Sequence, residues 1–443
     1  MAFRNQHFRK TVKLSNQVLK RVFLIAFICF MLLHVLKCKV IRFGKEEPTK
    51  TCSERSIIHR ITIEKYYEKR KHWVTSNLGS VLFKNQPIKY TQQKKTFTVL
   101  TWNHPWWPKD YIKNPLNTCS VKNCVFTYDN NLINTSRVDA VVVTTYRGEI
   151  PLVRRRNKSQ RWVFFNTDSP IDAFINVESK VKARAIRDMA DVFNWSMTYR
   201  SDSDVPIPYG RTVPLTDAMM QNISTRPITE AIPYWEHKQK DVLAVAMISN
   251  CNNSERLAYI NELQKYIKVN LFGKCAKTFQ MRNSCPRSKN GEVGDCPKLK
   301  NYLFYLAFEN SKCRQYITEK VFHNAFSKGA IPVVMGAPVV DYEKLLPPNS
   351  FLHVNSFNSP RELAMEIIHL STNDDYIKTY HKWRQNFEIT NEHGSFGRVA
   401  QDLCRLCEAL NYNDKATKVY DLDTLRLYLD PKLLCSVKRK NKW

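Results

Sequence analysis

A carboxylate with an amide, and then a carboxylate with an ammonium, fall within one short stretch of the 443-residue chain, FYLAFENSKCRQYITEKVFHNAFSKGAIPVVMG. Glu309 and Asn310 end an apolar run. Glu319 and Lys320 open a helical pattern soon after. The run reads as a buried strand, Thr318–Lys328 as a helix with Thr318 at its N-cap and Gly329 just past its end, and AIPVVMG as the next strand. In such a strand–loop–helix–strand unit, ligands bind outside the carboxyl ends of the strands. Lys320 would lie in the first helical turn, beside unpaired backbone N–H groups, which suits a phosphate. Without an anion, a cation there opposes the helix dipole. Glu309 or Glu319 suits ribose or sugar hydroxyls. The same spacing also fits a plainer arrangement in which Glu319 satisfies the dipole and Lys320 faces solvent.

Other residues qualify by position. Arg256 ends the loop SNCNNSER at the start of a helix, where a guanidinium suits a diphosphate, although a lone arginine there is more often a surface residue. Asp168 ends a strand in RWVFFNTDSP. A carboxylate there can act as a general base, or it can close a turn before Pro170. The aromatic loop HPWWP, His104–Pro108, can stack on a sugar ring or simply pack. The Asp-x-Asp in SDSD, Ser201–Asp204, can hold a divalent metal, but two carboxylates alone make an incomplete site. The flanking prolines and Tyr199-Arg200 suggest a structured loop whose acids pair with arginine or backbone N–H groups. No Walker loop and no G-x-G-x-x-G is present, which argues against ATP and NAD.

The chain is long enough for two or three domains, 43% hydrophobic, with a formal net charge of +29. Its first 21 residues are basic and lack acids. The apolar run VFLIAFICFMLLHVL, 22–36, follows. No small-residue cleavage signal comes after it, so it reads as a signal anchor with the basic tail in the cytosol and the bulk of the chain in a lumen. Five sequons, at Asn134, Asn157, Asn194, Asn222 and Asn252, and the eleven cysteines from Cys52 onward fit that compartment. The pair in CRLC, Cys404 and Cys407, has the local spacing of half a zinc site, but the compartment favours disulfides. The basic residues are scattered and no nucleic-acid-binding signature appears, so nucleic acid is not expected as a partner.

The elements that must position these residues follow the apolar runs. After a tail (1–21) and the anchor (22–36), residues 37–94 read as a stem with little periodicity. Strands at Thr96–Trp102, Val138–Thr145, Arg161–Asn166 and after Phe193 give a first α/β domain over 95–225. Strands at Asp241–Asn250, KVNLFG, YLFYLAFEN and AIPVVMG, with a helix at RLAYINELQKYI, give a second over 226–400. Residues 401–443 read as a cysteine-containing extension. Two such units suggest an enzyme with its site in the cleft between them.

FYLAFENSKCRQYITEKVFHNAFSKGAIPVVMGAP closely resembles the donor-domain signature of the α1,3-fucosyltransferases, glycosyltransferase family ten. FNWSMTYRSDSDVPIPYG and RWVFFNTDSP are similar to two further blocks of that family, in the same order, over about residues 95–400. The resemblance implies a GT-B fold of two Rossmann-like domains on a single anchor and stem, in the Golgi membrane with its catalytic part in the lumen. It implies transfer of fucose from GDP-β-L-fucose, with inversion, in α1,3 linkage to GlcNAc of glycoprotein or glycolipid glycans. By position, Arg256 and Lys320 would hold the diphosphate and Glu319 the ribose. Glu309, Asn310 and Tyr316 would surround the donor sugar, and Asp168 would be the base. His104, Trp106, Tyr199 and Arg200 are candidates on the acceptor side. The family needs no metal and no further cofactor. Asp168 departs from the family's usual Glu, one methylene longer, and Ser201 stands where many members have a second Arg. The Asp168 change leaves room for a catalytically inactive glycan-binding member. Another nucleotide sugar in the same fold is a further alternative. The cysteine pattern near the C-terminus is more similar to invertebrate members, which favours the N-glycan core or LacdiNAc over terminal LacNAc as acceptor.

Overall fold

The alternation in VDAVVVTT sends Val141 and Val143 to one face of a strand and Ala140 and Val142 to the other, and all of them are buried. A strand covered on both faces belongs in a parallel sheet between layers of helix. The computed structural model describes residues 52–88, 95–102, 116–145, 149–151, 153, 159–173, 186–224, 226–251, 254–285, 295–392, 401–414 and 418–436. The tail and the expected anchor at 22–36 lie outside these. No helix among the described residues is long and apolar enough to cross a membrane.

The described residues form two compact units. The smaller holds 52–65 and 216–224, with the helix Asp217–Ser224 and the greater part of the helix Cys52–Glu68. The larger runs from Tyr66 to Leu215 and from Arg226 onward and contains all three sheets. Its first sheet is built from β1 (Phe97–Trp102), β2 (Cys124–Thr127), β3 (Ala140–Thr144), β4 (Arg161–Asn166), β5 (Trp195–Thr198) and β6 (Val205–Pro206). These are parallel in the order β2-β1-β3-β4-β5-β6. The chain then makes β7 (Gly210–Pro214), followed by β8 (Ala244–Met247), β9 (Val269–Phe272), β10 (Phe304–Phe308), β11 (Ile331–Met335) and β12 (Leu352–His353). The last five form a second parallel sheet, β12-β11-β10-β8-β9. β13 (Phe387–Asn391) pairs antiparallel with β7. Both parallel sheets start in the middle and reverse direction after their second strand. This puts a topological switch point between β1 and β3 and another between β8 and β10.

Each sheet is covered by helices whose apolar stripes match it. Val99, Val142, Val163 and Phe165 pack on Leu403, Leu406 and Leu410 of the helix Gln401–Tyr412. Leu100, Val141, Trp162 and Phe164 pack on the other face with Phe193, Tyr420, Leu425 and Leu429. Under the second sheet, Ala246, Phe304, Leu306 and Val333 meet Tyr259, Ile260 and Leu263 of the helix Ser254–Leu263 and Leu363 and Ile367 of Pro360–Thr372.

Two parts of the chain differ from the sequence reading. Residues 401–436 are not an extension, because they complete the core of the first sheet. Nor is all of 37–94 a loose stem. Tyr66 Oη donates to Thr212 O at 3.1 Å and its ring packs on Phe387. Arg70, 3% exposed, lies 3.6 Å over the Tyr66 ring and donates to Lys344 O at 2.6 Å. Leu78 enters the core beside the first sheet. These anchors are isolated aromatic, arginine and leucine residues in a Lys- and Glu-rich background, so averaged composition conceals them.

Ten cysteines form five disulfides: Cys119–Cys404, Cys124–Cys407, Cys251–Cys275, Cys285–Cys296 and Cys313–Cys435. The two thiols of CRLC thus go to separate partners and not to a shared zinc. The first two bridges fasten the helix Gln401–Tyr412 to Cys119, before β2, and to Cys124, its first residue. Asn194 is likewise structural. It is 9% exposed, its Oδ1 accepts from Trp162 N at 3.0 Å and its Nδ2 donates to Lys418 O at 2.8 Å, so the folded chain offers no amide there for a glycan. Asn134 and Asn222 are exposed, and Asn157 and Asn252 lie outside the described residues.

A buried charge network ties the β7–β13 ribbon to the helix Gln401–Tyr412. Glu392 Oε1 accepts from Arg211 Nε at 2.6 Å and Arg405 Nη2 at 3.0 Å, and Arg405 Nη1 donates to Glu408 at 2.6 Å. Burial disfavours the Glu392 carboxylate, but Arg211 and Arg405 overcome this and hold its pKa at about 2 against an ordinary 4.5. Because the folded value is the lower one, the stabilisation is complete above about pH 4.5 and is lost as pH falls from there toward 2. A shift of that size corresponds to roughly 3 kcal/mol. Urea unfolding at pH 5 and pH 3 should show a larger loss of stability in the wild type than in Glu392→Gln, which has no proton to gain. Equal losses would remove Glu392 from the acid response.

Candidate active site

The site is built around the end of β10. FYLAF is buried along its whole length, and Glu309 extends the ladder by one bond, donating its N–H to Met335 O at 2.8 Å. The Glu309 side chain then turns inward. At 3% exposure it must find partners, since an unpaired buried carboxylate is costly. Thr318 supplies two, its backbone N–H at 2.8 Å and its hydroxyl at 2.9 Å. Lys320 Nζ supplies a third at 2.9 Å. The same ammonium donates to Thr318 Oγ1 at 2.9 Å and reaches Glu319 Oε1 at 3.4 Å. Burial works against the Lys320 charge, but Glu309 and Glu319 outweigh it and raise its pKa above the usual lysine value. Lys320 is therefore neither a solvent-facing lysine nor an open cation. It is the countercharge of Glu309.

Space for this arrangement comes from Gly336. A Cβ there would lie 2.8 Å from Glu309 Cγ and 2.9 Å from its Cβ. Thr318 is the N-cap, as its β-region backbone and hydroxyl predict, accepting from Lys320 N. The helix after it is only Glu319–Phe322, shorter than the expected Thr318–Lys328. Its turn widens where both His323 N and Asn324 N donate to Glu319 O, at 2.9 and 2.8 Å, while the Asn324 amide is drawn to Tyr305 Oη at 3.1 Å. A 3-10 turn, Phe326–Lys328, follows. Gly329, at φ 69°, closes it in the left-handed conformation that the sequence assigned to this position.

Arg256 lies at the switch point of the second sheet. It is 1% exposed, with Nη1 donating to Phe308 O at 3.2 Å and Asn310 Oδ1 at 2.8 Å, and Nη2 to Asn250 O. It thus joins the ends of β8 and β10 and fixes Asn310. Its Nε has no hydrogen-bond partner among the described residues.

The first sheet brings its candidates to the same place. At the end of β4, Asn166 makes the turn, its Oδ1 accepting from Asp168 N at 3.1 Å and its Nδ2 donating to Asp168 O at 3.0 Å. The turn therefore does not need the Asp168 carboxylate. Asp168 Oδ1 lies 3.4 Å from the Oη of Tyr316, which belongs to the loop after β10. Tyr316 is buried, which pushes its pKa well above the ordinary tyrosine value and keeps it a proton donor. Its ring meets Tyr199 edge-on at 5.2 Å and Tyr209 at 6.2 Å.

Arg200 is engaged within the protein. Its guanidinium pairs with both oxygens of Asp202, donates to Leu427 O and lies 4.6 Å from the Tyr428 ring. Asp204 accepts from Ser196 N at 2.8 Å and Tyr420 Oη at 2.7 Å. The Asp-x-Asp acids thus pair with arginine and backbone N–H as the sequence suggested, and no metal-binding cluster occurs among the described residues. His104 and Trp106 lie outside the described residues. Sequence reasoning identified Thr318 only as a cap and did not single out Gly336, Ser169 or Ser311. Only Gly336, a small residue directly after a buried strand, carried a local signal.

Models of two families match the chain. Residues 94–210 match the fucosyltransferase N-terminal family and 235–424 the glycosyltransferase family 10 (fucosyltransferase) C-terminal family. The chain belongs to glycosyltransferase family 10, the fucosyltransferases, and is a glycosyltransferase. It is 30% identical to glycoprotein 3-alpha-L-fucosyltransferase A of Drosophila melanogaster, over 84% of this chain and 68% of that one. It is 31% identical to alpha-(1,3)-fucosyltransferase 7 of Bos taurus, over 70% and 81%. An alpha1,3-fucosyltransferase crystal structure with GDP-fucose is similar at a TM-score of 0.41 and 16% identity, over 77% of this chain and 98% of that one.

The Glu309–Lys320 pair gives a stability prediction. Lys320→Met should lower unfolding stability by about 3–5 kcal/mol, because it leaves the Glu309 carboxylate buried and unpaired. Adding Glu309→Gln should recover part of that loss, as seen by urea denaturation. A double variant no more stable than Lys320→Met would mean that the pair is not what holds this corner together.

Proposed function

We propose that this enzyme transfers L-fucose from GDP-β-L-fucose, with inversion, in α1,3 linkage to GlcNAc of a glycan. The observation that carries the reading is the meeting of Asp168, from the end of β4, with the loop after β10 that holds Glu309, Asn310 and Tyr316. One group able to take a proton thus stands beside one cluster able to hold a sugar nucleotide. The acceptor hydroxyl attacks the anomeric carbon opposite the leaving diphosphate. The new C–O bond forms as the bond to the phosphate oxygen breaks, and the hydroxyl proton passes to Asp168. The transition state is oxocarbenium-like, as in other inverting glycosyl transfers. Charge grows on the departing GDP, where Lys320 and the Nε of Arg256 are the available donors. The long contact from Lys320 to Glu319 is the one a phosphate oxygen can replace, leaving the bonds to Glu309 and Thr318 in place.

The two parallel sheets, each contributing strand-end residues to this meeting, support a GT-B arrangement. The basic start and the apolar run at 22–36 support a type II Golgi membrane protein with a luminal catalytic part, and the five disulfides fit an oxidising lumen. The acceptors in the names of relatives are glycoproteins and 4-galactosyl-N-acetylglucosaminides. The N-glycan core and terminal LacNAc or LacdiNAc are therefore the acceptors to test. No metal enters this mechanism.

The test is transfer by the purified chain from a panel of nucleotide sugars to core, LacNAc and LacdiNAc glycans, with and without EDTA. Fucose transfer from GDP-fucose alone, unchanged by EDTA, is expected. Transfer from another donor would replace the donor assignment, and loss with EDTA would bring in a metal. Asp168→Asn should lower kcat by about a hundredfold or more, the scale of a general base, with GDP affinity retained. Lys320→Met should lower turnover by roughly a hundredfold, and the added Glu309→Gln that restores stability should not restore it.

A further inference from the structure

The loops that carry Asp168 and Glu309–Tyr316 are joined by uncharged side chains outside the set considered so far. Ser169 Oγ hydrogen-bonds Ser311 Oγ at 2.8 Å, across 142 residues of sequence. Ser169 is fully buried and Ser311 is 5% exposed. Both hydroxyls also approach Asp172 Oδ2, at 3.2 and 3.4 Å. A hydroxyl has one proton to give, and a carboxylate only accepts, so the two serines form a short chain that ends on Asp172. Each serine is placed to matter. Ser169 directly follows the candidate base, and Ser311 directly follows Glu309-Asn310. The seam continues at Gln315, whose Oε1 accepts from Ser201 N at 2.9 Å.

We propose that Ser169 and Ser311, ending on Asp172, are positioning residues that set the distance between Asp168 and the donor loop. The assignment rests on Asp168 being the base of the proposed transfer. Neither serine touches substrate; each acts through the residue beside it. Geometry is where such a contact tells, since a displacement of about 1 Å can cost on the order of a hundredfold in rate. Buried hydroxyls also need partners, so the pair holds only when both loops are home. A donor that seats the loop after β10 thereby also sets the base.

The experiment is a set of variants of the full chain, with kcat, donor KM, GDP affinity by calorimetry and melting temperature measured on each. Ser311→Ala should lower kcat by about tenfold, with GDP affinity and melting temperature little changed. Ser311→Thr, which keeps the hydroxyl, should recover most of the rate. Ser169→Ala combined with Ser311→Ala should be no slower than the slower single variant, because both break one contact. In an Asp168→Asn background, Ser311→Ala should cost nothing further. Unchanged kcat in Ser311→Ala, losses that multiply in the double variant, or a full further loss in the Asp168→Asn background would each overturn the latch. If Asp168→Asn turns over normally, the base assignment fails and the latch with it. If Asp168→Asn is crippled and Ser311→Ala is not, the latch alone fails. Should Ser311→Ala melt far below the wild type, Asp172→Asn is read by the same criteria.

Discussion

A carboxylate that is 3% exposed and lies one residue beyond a buried strand sets the terms for everything around it. Glu309 cannot be solvated, so the chain must return to it with donors. It does so within a few residues, bringing the N–H and hydroxyl of Thr318 and the ammonium of Lys320. That return forces residues 311–317 into a tight excursion, with Gln315 in the left-handed region at φ 56°. The excursion is what touches the first sheet, through Ser311, Gln315 and Tyr316. Gly336 is required on the other side, because any side chain there would occupy the space of Glu309. One buried charge thus governs a loop, a glycine and the contact between two sheets.

The local electrostatics differ from those of the chain as a whole. The net charge of +29 belongs to scattered residues. At the site, Glu309, Glu319 and Asp168 stand against Lys320 and Arg256, three acids to two bases. Such a site does not attract anions by excess charge. It holds them by fixed donors in a dry corner, where a hydrogen bond counts for more than in water. This also limits discrimination by charge and leaves it to shape and donor placement.

Much of the sheet architecture was legible because buried strands are written as continuous apolar runs: TFTVLTW, VDAVVVTT, RWVFFN, FYLAFEN and AIPVVMG all became strands. The grouping of Glu309, Asn310, Glu319 and Lys320 was legible from adjacency. What adjacency could not say was which of them pair. The spacing left Lys320 either to a phosphate or to solvent, and its partner within the protein is Glu309, because the loop folds back by an amount that no local pattern encodes. Arg200 beside an Asp-x-Asp was legible as part of a structured loop, but not its contacts with Leu427 and Tyr428, more than two hundred residues away. The helix Gln401–Tyr412 looked like an appendage because its amphipathic face has no meaning until the first sheet is known. Asn194 matched a sequon, and only the fold shows its amide engaged by Lys418. Thr318 and Gly329, whose roles are set by their own backbone geometry, were read correctly.

The disulfides place a later segment of the chain in charge of finishing an earlier one. Cys119 and Cys124 wait for partners 285 and 283 residues downstream, whereas Cys251–Cys275 closes within 24. At ribosomal speeds of roughly 5–20 residues per second, that wait lasts about 15–60 s. Throughout it the face of the first sheet carrying Val99, Val142 and Val163 lacks the helix Gln401–Tyr412, and two thiols stand next to newly arriving ones. Maturation therefore cannot run from N-terminus to C-terminus. It is held open until the helix Gln401–Tyr412 emerges, and its dependence on chaperones and thiol exchange is set by that separation.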